Sequence, residues 1–127
     1  MTKHDWLYHN SHLLAYRSPF GAVPCGARVD LSLAVAADRA VERVLLRTWR
    51  AGAGEEIAPM APAGETGGKK HFRAALIAPD EPGLVWYYFI VYADGATHYY
   101  GNNNHQRGGA GATSDSPPPS FQITVHL

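Results

Sequence analysis

Residues 83–104, GLVWYYFIVYADGATHYYGNNN, constrain the fold of this chain more than any other stretch. A Pro-Gly turn opens onto nine aliphatic and aromatic residues, 84–92. Asp94-Gly95 follows, and Thr97, His98, Tyr99 and Tyr100 lead away into a Gly-Asn segment. β-branched and aromatic side chains suit a pleated, half-buried surface. An Asp-Gly pair between two such runs predicts a hairpin, because the favoured two-residue turn needs positive φ at both central positions. Strand alternation puts Tyr87, Phe89 and Val91 on one face and Trp86, Tyr88 and Ile90 on the other. Both faces are therefore apolar. One can fill a core; the other must meet a ligand, another domain or a flanking loop.

The flanking sequence repeats this pattern. Leu13 to Tyr16 reads as a short strand, ended by Ser18-Pro19. Val29, Leu31, Leu33 and Val35 alternate with Asp30, Ser32 and Ala34, one face buried and one wet. Residues 41–50, VERVLLRTWR, set Val44, Leu46 and Thr48 against Leu45, Arg47 and Trp49. A helix over residues 34–47 competes on propensity, but the short length and the neighbouring strands favour β structure. Residues 51–69 are rich in Gly, Ala, Pro and Glu and read as a long loop, or a short strand pinned by Ile57 and Met60. Phe72, Ala74 and Leu76 oppose Arg73, Ala75 and Ile77. Residues 101–119 read as irregular, since Gly and Pro at that density exclude a helix or a central strand. Phe121, Ile123 and Val125 make a last strand. Seven to eight antiparallel strands with Gly/Pro turns predict an all-β, immunoglobulin-like β-sandwich. A length of 127 residues fits one domain, residues 1–127, with 1–12 as an N-terminal arm.

Charge and cysteine content exclude several functions. Eleven basic residues balance eleven acidic ones, which argues against a nucleic-acid partner and against an anionic membrane surface. Cys25 is alone, so an intrachain disulfide is impossible. No apolar segment approaches the roughly 20 residues that span a bilayer, and the start has no signal-peptide core. A cytoplasmic location follows as the expectation, unless a parent's leader was lost.

No catalytic constellation stands out. The acidic residues fall in turns or on wet faces, and Glu55-Glu56 reads as a solvated pair. Neither a nucleophile elbow nor a phosphate loop occurs. His4, His9 and His12 lack the acidic or Cys companions of a metal site. Asn102, Asn103, Asn104 and Asp115 carry oxygen donors suited to calcium, but a turn cluster is the simpler reading. No metal and no cofactor is expected. The remaining signal is aromatic: Trp49, Trp86, Tyr88, Tyr92, Tyr99 and Tyr100 exceed what one core can easily use. A sugar presents an apolar C–H face that stacks on an aromatic plane, while Asn or His side chains bond its hydroxyls. Trp49, Trp86, Tyr88, Tyr99, Tyr100 and Asn102 are thus the candidate carbohydrate-binding residues. Core and interdomain packing is the structural alternative for each.

Several pieces then align in one order: His12 with AYRSPFGAV (15–23), the strand at 29–33, VERVLLRTW (41–49), APDEPGLVWYYF (78–89), YYGNN (99–103), GGAG (108–111) and PPPSFQITV (117–125). Together they resemble the N-terminal β-sandwich domain of α-amylase family (glycoside hydrolase family 13) enzymes of the neopullulanase, cyclomaltodextrinase and amylopullulanase type. The resemblance implies a non-catalytic domain of an α-glucan hydrolase whose catalytic (β/α)8 barrel lies outside this chain. It implies three roles: binding α-glucan, packing on that barrel, or capping a partner's site in a homodimer. A structural or protein-interaction sandwich without sugar affinity is the competing expectation.

Overall fold

The computed structural model describes residues 6–19, 21–103 and 109–127. His4, Asn104 and Gly108, which figured above, lie outside the described residues, as does the first part of the arm. Twelve strands run, in chain order, as β1 Leu7–Tyr8, β2 Arg17–Ser18, β3 Val23–Pro24, β4 Arg28–Ala36, β5 Val41–Arg50, β6 Gly54–Pro59, β7 Ala61–Thr66, β8 Lys69–Ile77, β9 Gly83–Ala93, β10 Ala96–Gly101, β11 Ala112–Ser114 and β12 Phe121–His126. Eight of them have six residues or more, matching the expected seven to eight; four short pieces add to these. No helix interrupts the described residues.

The strands form two sheets. In the first, β4 is central, flanked by β8 with β7 on one side and by β1 and β2 on the other. In the second, β9 is central. β5 pairs along nearly all of one edge of β9 and carries β6 beyond it. The opposite edge of β9 is shared, β12 taking Gly83 to Tyr87 and β10 taking Phe89 to Ala93. All pairings are antiparallel except β3 with β12. The β9–β10 turn has the expected geometry, with φ of 53° at Asp94 and 75° at Gly95. The carboxylate of Asp94 accepts from the Ala40 amide at 3.1 Å and pairs with Arg39 at 3.0 Å. Those bonds hold its pKa below the usual carboxylate range and tie the turn to the β4–β5 connection.

The core lies between the sheets, as the alternation requires. Val29, Leu31, Leu33 and Val35 from β4 meet Tyr87, Phe89 and Val91 from β9, and Phe121 and Ile123 from β12, all buried. Phe121 stacks on Tyr87 at 5.2 Å between ring centroids. Such offset aromatic pairs contribute roughly 0.5–1.5 kcal/mol beyond their burial.

Three local expectations change. Residues 13–16 are a turn, not a strand: Leu13 and Leu14 are exposed, and the Tyr16 and Arg17 amides both donate to the Leu13 carbonyl. The strand begins one step later at Arg17, whose side chain is buried. The 51–69 stretch is two edge strands, β6 and β7, joined at buried Met60. Edge strands carry exposed Pro and Glu because one side of their ladder faces water, which is why their sequence resembles a loop. Residues 101–119 likewise yield β11 and a bridge from Asn10 to Ala110. The arm is packed from Trp6 onward: Trp6, Leu7 and His9 are buried.

Candidate functional site

The outer face of the second sheet gathers four of the six candidates. Trp49 on β5 and Trp86 on β9 stand directly opposite one another in register. Their ring centroids are 5.3 Å apart and their planes inclined by 50°. Trp49 is exposed and Trp86 half-buried. Two residues along, Arg47 faces Tyr88, its guanidinium carbon 4.7 Å from the phenol centroid. A cation over an aromatic face is attracted by the ring quadrupole. Arg47 Nε also donates to Glu55 on β6 at 2.7 Å. Tyr99 on β10 meets Tyr88 edge-on at 6.0 Å. Burial pushes the Tyr88 phenol above its ordinary pKa, and the adjacent Arg47 charge partly offsets this. At the end of the row, Arg43 caps Tyr92 at 4.5 Å.

This arrangement shows how the apolar second face of β9 is satisfied. Arginines from β5 lie over its tyrosines, and their stems and planes cover the rings. Only the Trp end is left open. There, Arg47, Trp49, Trp86 and Ser120 line a concavity of about 250 Å³. Gln122, exposed and directly opposite Trp86 on β12, borders the same end.

The other two candidates are elsewhere. Tyr100 is buried: it lies opposite Phe89, on the core face of β10. Its hydroxyl donates to the His9 carbonyl at 3.3 Å and accepts from the Gly111 amide at 2.9 Å. Burial raises its pKa. Asn102 is also buried; its Nδ2 donates to the Ser120 carbonyl, and its Oδ1 accepts from the Asn103 amide. Asn103 Nδ2 donates to the Ala110 carbonyl. Both asparagines therefore knit β10 to the 110–120 segment. His98, the other expected hydroxyl partner, packs edge-on against Trp6 at 4.8 Å. Arg47, Gln122 and Ser120 supply the polar groups beside the tryptophans instead. Arg47 was legible from its place two residues before Trp49 on the same strand face; Ser120 was not, since it depends on where the 101–119 segment returns.

Of the N-terminal histidines, His9 has a structural role. His9 is fully buried, with Nδ1 2.8 Å from the Ser32 carbonyl and Nε2 2.9 Å from the Tyr87 hydroxyl. Both ring nitrogens are engaged, so the residue has none left for a metal. Its pKa is pushed down to about 3 by burial, with Arg17 adding to the effect against the Ser32 hydrogen bond. Arg17 is buried beside it and donates to the Gln122 and Gly21 carbonyls. Among the described residues no group of three or more His, Cys, Asp or Glu is placed to hold a metal ion. No helix among them is long and apolar enough to cross a membrane.

No protein-family model matches the chain, and no curated protein matches it. Solved structures do. The fold is similar to that of a cyclomaltodextrinase, with a TM-score of 0.67 and 13% identity over 94% of this chain. The match spans 19% of the cyclomaltodextrinase chain. At that identity the likeness shows the fold, an all-β sandwich. It falls on an enzyme of the type whose N-terminal domain the sequence resembles.

Proposed function

We propose that this chain is a non-catalytic domain of an α-glucan-hydrolysing glycosidase. In this reading it packs on the enzyme's catalytic barrel and positions α-glucan through Trp49 and Trp86. The cross-strand indole pair carries the proposal. Among the described residues, no arginine covers it as Arg43 and Arg47 cover Tyr92 and Tyr88, and it opens onto a concavity with Arg47 and Ser120 at hand. An α-linked glucan curves, so successive sugar rings are rotated against one another. Two indoles inclined by 50° suit such a chain better than a flat platform does. The chain's neutral balance of charge fits an uncharged ligand. The similarity to 19% of a cyclomaltodextrinase supports a domain within a larger hydrolase.

The test is titration with maltoheptaose or β-cyclodextrin, followed by tryptophan fluorescence. Saturable quenching is expected, and its loss in Trp49→Ala and Trp86→Ala variants that keep the wild-type circular dichroism. No change at millimolar sugar sinks glucan binding. The second reading, an interaction sandwich without sugar affinity, rests on the apolar row that continues past Trp86 to exposed Leu84. It predicts that separately expressed catalytic barrel binds the wild-type chain and not Leu84→Asp.

A further inference from the structure

The sandwich is open along one side. β7 pairs with β8 only as far as Arg73, so β8 from Ala74 to Ile77 has no strand on that edge. β6 likewise has a partner only in β5. Between these two free edges lies a cleft of about 300 Å³. Its apolar lining includes Leu46, Leu76 and Val85, which are core residues, and Ile57 and Ile77, which are largely exposed.

Three polar side chains stand in the same cleft: Thr48, Arg50 and Glu56. Alternation places Thr48 and Arg50 on the inner face of β5, in line with Val44 and Leu46. Glu56 is directly opposite Thr48. An inner row that runs apolar, apolar, polar, charged is a departure from sandwich patterning. None of the three side chains makes a hydrogen bond or ion pair among the described residues; Arg47 takes Glu55, and Glu56 is left. Arg50 and Glu56 are exposed and Thr48 half-buried, so their donors and acceptors face solvent above an apolar floor, the composition of a small-molecule site. Three hundred cubic ångströms is at the lower bound for such sites, which limits the occupant to something small or to one end of a chain.

Trp49 decides the occupant, because it lines this cleft and the outer concavity alike. The two concavities share Trp49, near the end of the β5–β6 hairpin. We infer that the cleft between β6 and β8 is a second carbohydrate subsite, receiving glucosyl units of a chain held at Trp86. Leu46, Leu76 and Val85 would meet the apolar C–H face. The Glu56 carboxylate accepts from sugar hydroxyls, and Arg50 and Thr48 donate to them. This inference rests on the glucan reading above and extends it to the inner face of the sheet.

Methyl and amide NMR of the whole chain, titrated with maltoheptaose, separates the two sites. Shifts at the Leu46, Leu76 and Ala58 methyls report the cleft; the Trp86 indole N–H reports the outer site. Saturable shifts at both are expected. Shifts at Trp86 alone overturn the cleft subsite and leave the glucan reading standing. Shifts at the cleft alone overturn the outer platform, and with it the cleft as a second subsite of a chain held at Trp86. No shift at either overturns both. Ala58→Trp, at an exposed position lining the cleft, is expected to abolish the cleft shifts and spare those of Trp86. Thr48→Val with Glu56→Gln is expected to weaken cleft occupancy about tenfold; unchanged affinity in that double variant refutes the assigned hydrogen bonds.

Discussion

Buried His9 makes the stability of this domain fall in mild acid, by an amount the structure sets. The ring is enclosed by Tyr87, Phe89 and Phe121, with centroids 5.6, 4.7 and 5.0 Å away. Its neutral form uses one N–H on the Ser32 carbonyl and one lone pair on the Tyr87 hydroxyl. Protonation would put a second cation beside buried Arg17. The folded pKa is therefore about 3, against 6.5 for a free histidine. Between those values the unfolded chain binds a proton that the folded chain refuses, so stability rises with pH. The contribution is complete above pH 6.5, is lost as pH falls, and levels off below about 3. At about pH 4.5 the gap covers roughly two pH units, or roughly 3 kcal/mol. Urea melts at about pH 7.5 and 4.5, on wild type and on His9→Phe, isolate this effect. Carboxylates and other histidines act in both proteins and cancel. Phe removes the hydrogen bonds to the Tyr87 hydroxyl and the Ser32 carbonyl, which costs about 1–3 kcal/mol at neutral pH. The wild type should nevertheless lose roughly 3 kcal/mol more than the variant on acidification. With a urea slope of roughly 1–3 kcal/mol/M, its midpoint should move about 1–3 M further. His9→Gln serves the same comparison if the Phe variant does not fold. Equal losses in wild type and variant would refute the account of His9 as a buried neutral base.

Three further predictions rest on other parts of the sandwich. Gly111 sits so close to the Gly101 carbonyl, the Tyr100 ring and the Phe121 ring that a Cβ has no room. Gly111→Ala should cost about 1–3 kcal/mol, lowering the melting temperature by roughly 4–12 °C; an unchanged melt would show that the β10–β11 pairing is not tight. Asp94 combines positive φ with an acceptor for the Ala40 amide. Asn tolerates that backbone and keeps the acceptor, whereas Ala does neither. Calorimetry should rank wild type above Asp94→Asn and Asp94→Asn above Asp94→Ala, and the reverse order for the variants would contradict the turn geometry. Pro59 and Pro62 lie on the exposed edge strands and withhold amides that another copy could pair with. A Pro59→Thr/Pro62→Thr double variant should self-associate with rising concentration in sedimentation velocity while the wild type does not.

What could be read from the residues depended on whether the signal was local. The 84–92 run and its Asp-Gly turn specify the β9–β10 hairpin, because periodicity and turn chemistry agree there. The strands at 29–35, 41–50 and 121–125 were legible for the same reason. β6 and β7 were obscured, since an edge strand needs only one partner and can carry Pro, Gly and Glu throughout. Leu13 and Leu14 misled in the opposite sense: apolar side chains suggested a strand where the backbone turns and leaves them exposed. In the site, alternation put Trp86 and Tyr88 on one face of their strand and Trp49 on one face of its own; that these faces coincide, with Tyr99 beside them, depends on the β5–β9–β10 pairing. Tyr100 and Asn102 fall elsewhere, because parity assigns Tyr100 to the core and the burial of Asn102 depends on Ser120, distant in sequence.

The same parity argument gives the open side of the sandwich its meaning. Along β5 the inner row runs Val44, Leu46, Thr48, Arg50, and along β9 it runs Val91, Phe89, Tyr87, Val85. Both pass from the closed to the open end of the sheet, since Val44 pairs with Val91 and Thr48 with Tyr87. The β9 row stays apolar to its end and Val85 remains buried. Only the β5–β6 side turns polar, at the point where β8 loses its β7 neighbour. Extending β7 by a few residues would close the gap and would make Thr48, Arg50 and Glu56 buried polar groups without partners, each a destabilising term. The polar inner row and the short pairing of β7 are therefore mutually consistent: the residues are compatible with an open mouth and incompatible with a closed one. Trp49 stands at the boundary between that mouth and the outer face. A substitution there should perturb both concavities at once, whereas Trp86→Ala and Ala58→Trp should each perturb one.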